Sequence, residues 1–179
     1  MLSEIMVSAE VREMLSLGEA IFLEGIDKLE DYKIKQPEFI HKRHELIIKK
    51  RLAVVEFAHG LELILKAILI KKGYSIFEIK NNKIFKTEEM LKDVINNNKT
   101  ISLYNVIDFF KKNYPNSPFE SVEELRLIRN QIIHKGTNIS EKKTIFFIDA
   151  INCLEQIYAL ESIKHKKFLT KIKASKYLI

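Results

Sequence analysis

Only one cysteine, three prolines and five glycines occur among the 179 residues of this chain, and each scarcity removes a class of answer. A single thiol, Cys153, allows neither an intramolecular disulfide nor a cysteine-based metal site, so a reducing compartment is expected. So few breakers imply long helices. There is no glycine-rich phosphate loop, no CxxC pair and no HExxH motif, so no cofactor and no metal centre is expected. The longest apolar stretch, Leu61 to Ile70, is interrupted by Glu62 and Lys66 and is too short to span a bilayer. The amino-terminal segment carries Glu4, Glu10 and Glu13 where an export signal needs a basic flank and an apolar run. The expectation is a soluble cytoplasmic protein without a membrane partner.

What is present is globular in character. Hydrophobic residues make up 46% of the chain and charged residues 30%, enough for one compact domain spanning residues 1–179 with a substantial core. The net charge of +6 and a pI near 9.2 suit a polyanionic partner such as RNA. The lysines are scattered, however, and solvated faces account for most of them.

Apolar residues recur at helical intervals from about Ser3 to Lys33, with Gly18 and Gly25 tolerated inside the first helix. Pro37 suits the first turn of a second helix that runs to Lys72 and stops at Gly73. Its Leu52, Val55, Ala58, Leu61, Leu65 and Ile68 form a stripe, and its second half is apolar nearly all round, which predicts a central position. Residues 74–86 break the pattern as a loop or short hairpin. Shorter helices are predicted over Glu88–Asn97 and Ser102–Asn113, followed by the loop Pro115-Asn116-Ser117-Pro118. Ser121 is the expected N-cap of the next helix, with Glu123 and Glu124 favouring its positive end. Ser140 is expected to cap a last helix reaching about Lys167, and a basic tail begins near residue 166. The predicted class is all-α, an up-and-down bundle of five or six helices.

One passage departs from this plain patterning. In Arg129-Asn130-Gln131-Ile132-Ile133-His134, at about 100° per residue, the arginine falls on the side of Val122 and Leu125, where an apolar residue is expected. A buried cation is costly without a partner. His134 lies one turn after Asn130 on the same face, and Lys135-Gly136 ends the helix. A permanently charged fork suits phosphate, and an imidazole exchanges protons near neutral pH. Together they supply parts of a phosphodiester-cleaving site, and two copies across a two-fold axis would supply the rest.

These residues, with Leu125 and Ile128 ahead of them, resemble the arginine, four-residue spacer, histidine signature of HEPN domains (higher eukaryotes and prokaryotes nucleotide-binding). The asparagine after the arginine matches that family's usual choice. Glu56 to Leu69 is similar to the helix that packs on the motif helix in several HEPN groups, and Lys99-Thr100-Ile101-Ser102-Leu103 to the approach to an intervening helix. The resemblance spans about Val54 to Leu160. It implies a HEPN-like bundle that forms a homodimer through the motif helix and, in many members, a metal-independent endoribonuclease leaving a cyclic phosphate. Arg129 would then bind the scissile phosphate, His134 would transfer a proton or orient the 2′-hydroxyl, and Asn130 would position either. The family setting further implies a toxin of a toxin–antitoxin pair or a phage-defence effector, with an antitoxin or regulatory protein as partner. Some relatives are non-catalytic modules that bind nucleotide, RNA or protein.

Plainer accounts compete at each position. Arg129 would pair with Glu123, Glu124 or a carboxylate of the second helix, and His134 would simply finish its helix. Glu62 is a candidate to orient Arg129. His59, flanked by Glu56 and Glu62, is either an acid/base group or a satisfied core or interface histidine. The run His41-Lys42-Arg43-His44, continued by Lys49, Lys50 and Arg51, together with Lys135, offers RNA-backbone contacts, with Lys42, Arg43 and Lys135 foremost; a solvated helix surface is the alternative.

Overall fold

The computed structural model describes residues 2–35, 43–76, 100–136 and 145–176, which form six helices. They are α1 (Leu2–Lys35), α2 (Arg43–Lys71), α3 (Leu103–Asn113), α4 (Phe119–Lys135), α5 (Ile145–Leu160) and α6 (Lys166–Ser175). The all-α expectation holds, and among the described residues there is no strand. Pro37, the predicted helix over 88–97, most of the excursion at 74–86 and the Ser140 cap lie outside the described residues. The end of α2 and the approach to α3 are joined by the Ile101 N–H donating to the Ile76 carbonyl at 2.8 Å.

Helix α2 packs against α1, α3 and α4, so its apolar second half is central. Ala58, Leu61, Leu65 and Ile68 are buried as patterned, whereas Leu52 is 49% exposed. The tightest packing is between α1 and α2. A Cβ on Gly25 would lie 2.6 Å from the Phe57 nitrogen and 2.8 Å from the Ala53 oxygen, and one on Gly60 would lie 2.7 Å from the Gly18 oxygen. The glycines that look like weak points of two helices are where their main chains touch. Phe22 and Phe57 close this seam with ring centroids 4.0 Å apart, and Phe147 of α5 meets Phe57 edge-on at 5.1 Å.

Helix ends account for two departures from the patterning. α4 begins at Phe119, not at Ser121. Phe119 is fully buried, its ring 5.6 Å from that of Phe110, so core packing starts the helix earlier than a side-chain cap would. Ser121 sits inside the helix and donates from its hydroxyl to Asp149 Oδ2 at 2.9 Å. The predicted continuous helix to Lys167 is also broken, at Ser162. There the Ile163 N–H bonds to the Tyr158 carbonyl at 2.9 Å and the Ser162 N–H to the Ala159 carbonyl at 3.2 Å. This is the bonding pattern of a glycine-type helix stop, built on a serine with φ 54°.

The segment read as a basic tail forms α6, which lies on α1 and α5. Phe168 and Ile172 enter the core, and three cations on or beside the helix meet acids of its neighbours. Lys171 pairs with Asp27 at 2.8 Å, Lys176 with Glu155 at 2.6 Å, and His165 Nδ1 lies 2.7 Å from Glu19 Oε1. At the end of α5, Glu161 accepts from Tyr114 and from Lys72, the latter at 2.9 Å. Burial pushes the Glu161 carboxyl up, but the hydrogen bonds from Tyr114 and Lys72 outweigh it and hold it below its ordinary value.

The α1–α2 seam gives opposite expectations for a glycine substitution. Helix propensity alone makes Gly60→Ala stabilising by up to about 1 kcal/mol, whereas main-chain contact makes it destabilising by about 1–3 kcal/mol or more. We expect the loss, read as a lowered midpoint in chemical denaturation with an unchanged slope.

Candidate functional site

Helix α4 rests on α2, α3 and α5 through Phe119, Val122, Leu125, Ile128 and Ile132, all buried. Arg129 lies at the border of this stripe, half-buried, and so is not the fully buried cation that its angular position predicts. Asn130 is half-buried beside it, and Gln131, Ile133, His134 and Lys135 are exposed. Gly136 closes the helix with φ 60°, a left-handed conformation natural to glycine, and its N–H bonds to the Ile132 carbonyl at 3.0 Å.

The cations of α4 divide sharply. Arg126 makes a two-pronged contact with Glu123, at 3.0 Å from Nε and 2.6 Å from Nη2, and lies over the Tyr104 ring of α3 at 5.4 Å. The hydrogen bond with Glu123 outweighs desolvation and raises its pKa. Arg126 therefore takes Glu123, one of the carboxylates that the plainer account offered to Arg129. Arg129 Nη1 donates instead to Asn130 Oδ1 at 3.2 Å, and among the described residues no carboxylate forms an ion pair with it. A neutral amide does not compensate the guanidinium charge, and most of its five donors have no partner among the described residues. His134, one turn after Asn130, is exposed, and its ring has no hydrogen-bond partner among the described residues. The cluster thus offers a phosphate-matching cation, an amide and an accessible imidazole on one stretch of helix. Exposed Leu127 and Ile133, 41% and 49% accessible, lie on the same helix.

The supporting candidates are differently placed. Glu62 is engaged with Lys66 of its own helix at 2.6 Å, and Lys66, only 5% exposed, also donates to the Thr100 hydroxyl at 3.1 Å. Glu62 thus has a lysine as its ion-pair partner. His59 is exposed, not in the core, and its neighbour Glu56 is paired with Lys28 of α1. Lys135 is exposed at the end of α4, free to meet a phosphate. Lys42 lies outside the described residues, and Arg43 is the first residue of α2.

The run Lys49-Lys50-Arg51 is not one solvated face, because successive helical residues point about 100° apart. Lys49 pairs with Glu45 at 3.3 Å; Lys50 is 7% exposed with its ammonium 4.9 Å from the Tyr32 ring centre. Arg51 reaches across to α4 and donates to the Gly136 carbonyl. Its part in the site was hidden in the sequence, since the contact joins residues 85 positions apart.

Among the described residues no group of three or more His, Cys, Asp and Glu is placed to hold a metal ion, and no helix is long and apolar enough to cross a membrane. No known protein family, curated protein or solved structure matches the chain.

Because Arg129 pairs with no carboxylate among the described residues, its removal should cost little. Arg129→Ala is expected to change the unfolding free energy by no more than about 1 kcal/mol. Equilibrium denaturation checks this; a loss of about 3–5 kcal/mol would mark a broken buried ion pair instead.

Proposed function

We propose that the protein is a HEPN-type endoribonuclease, acting as a homodimer in which two α4 helices face each other. The observation that carries the reading is the Arg129 guanidinium, bonded to Asn130 and to no carboxylate among the described residues, with an exposed histidine five residues on in the same helix. A cation in that condition suits a phosphodiester, and the open imidazole suits proton transfer.

The chemistry follows from those two groups. The 2′-hydroxyl of RNA attacks the adjacent phosphorus, the bond to the 5′-oxygen breaks, and a 2′,3′-cyclic phosphate remains on one product. A base must take the hydroxyl proton and an acid must supply one to the departing oxygen, while a cation steadies the charge on the phosphorane. One chain carries one imidazole at this place, so a two-fold pair supplies two imidazoles and two guanidiniums. Leu127 and Ile133, exposed on α4, would lie in that interface. Asn130, already bonded to Arg129, would fix the angle of the guanidinium. A toxin or phage-defence role, restrained by a partner protein, fits this activity.

A second reading keeps the binding and drops the cleavage. It is favoured by the lack of any hydrogen bond between His134 and the Arg129–Asn130 pair within one chain. The two readings separate in one experiment. Wild-type protein incubated with single-stranded RNA in the presence of chelator should yield fragments ending in cyclic phosphate. Arg129→Ala and His134→Ala, shown to be folded, should each lose about a hundredfold or more of the rate. Binding without fragments in the wild type would support the second reading, and undiminished cleavage in both variants would exclude this site.

A further inference from the structure

We propose that Arg51 of α2 is a positioning residue for His134, holding the last turn of α4 in place; its catalytic consequence rests on the ribonuclease reading above. The last buried side chain of α4 is Ile132. Beyond it, Ile133, His134, Lys135 and Gly136 are all exposed, so no core packing fixes the turn that carries the imidazole. The final carbonyls of a helix also lack partners within it and carry partial negative charge. Such a turn frays readily. Among the described residues, two hydrogen bonds outside the helix's own ladder oppose fraying here. One is local, from the Gly136 N–H to the Ile132 carbonyl at 3.0 Å. The other is the Arg51 guanidinium donating to the Gly136 carbonyl from a different helix.

The second bond has a firm anchor. Arg51 is followed directly by the part of α2 that touches α1 main chain to main chain, beginning at Ala53 and Phe57. Arg51 is half-buried, and its guanidinium charge meets the negative end of α4. Arg51 therefore references the His134 turn to the most closely packed pair of helices. Arg129, one and a half turns earlier, is held by the packing of Leu125, Ile128 and Ile132 around it. The two ends of the motif are thus fixed by different means, and only the histidine end depends on a single side chain of α2.

The test uses the full chain, with amide hydrogen exchange and RNA cleavage read on the same variants. In Arg51→Gln we expect the Gly136 and Lys135 amides to exchange at least about tenfold faster while the Leu125 amide is unchanged. We further expect kcat to fall about tenfold with KM altered less than about twofold. Arg51→Lys, which keeps the charge and loses the fork, should recover part of the exchange protection and part of kcat, and it serves alone if Arg51→Gln does not fold. Unchanged exchange at Gly136 and Lys135 overturns the proposal. So does faster exchange with an unaltered kcat, since the turn would then be held to no catalytic purpose. If exchange quickens but the wild type cleaves no RNA, the hold on the His134 turn is supported and the ribonuclease reading is what fails.

Discussion

The main chains of α1 and α2 touch at Gly18, Gly25 and Gly60, and the other helices pack around this closely joined pair. With no side chain between them, two long helices approach more closely than an ordinary side-chain interface allows. Phe22 and Phe57 then meet across the seam, and the aromatic cluster extends to Phe147 of α5 and Phe168 of α6. The opposite flank of α2 is left for α3 and α4. The candidate site sits on a helix packed against α2, α3 and α5, not on a loop, which is how a chemical group is held with precision.

Polar fasteners close the periphery. Glu161 gathers Tyr114 and Lys72 at one end of the bundle, and Lys72 is held protonated by its bonds with Tyr114 and Glu161. Glu19 accepts from Tyr158 at 2.7 Å and lies 2.7 Å from His165, which joins α1, α5 and the start of α6. Burial and the neighbouring Glu19 push the Tyr158 hydroxyl far above its ordinary range, so it serves as a fixed donor. Burial likewise pushes the Cys153 thiol up to about 12, which makes it an inert core residue. Against this background of matched charges, Arg129 stands apart.

Periodicity made the helical class, the end of α2 at Gly73 and the end of α4 at Gly136 legible, because glycine stops are written locally. The start of α4 was not, since a buried Phe119 overrides the cap that Ser121 advertises. The stop at Ser162 was hidden for the converse reason: its hydrogen bonds are those of a glycine stop, but the residue gives no such signal. Lys49, Lys50 and Arg51 read as one basic face and instead answer to Glu45, Tyr32 and Gly136, partners that only folding brings near. Arg129 was legible as a cation beside an apolar stripe. Its freedom from Glu123 was not, because that depended on Arg126 taking the carboxylate first.

The candidate site then reduces to one physical statement: α4, packed on α2, α3 and α5, presents a guanidinium without a counter-charge among the described residues and an imidazole open to solvent. Both groups should respond to a single phosphodiester. The most direct measurement is nuclear magnetic resonance of the side-chain nitrogens during titration with a short RNA carrying a 2′-deoxy residue at the scissile position, which binds without being cut. The account predicts that the Arg129 Nε–H and the His134 ring signals shift together and saturate at one RNA concentration. Signals of both residues that stay fixed while other basic residues respond would contradict it.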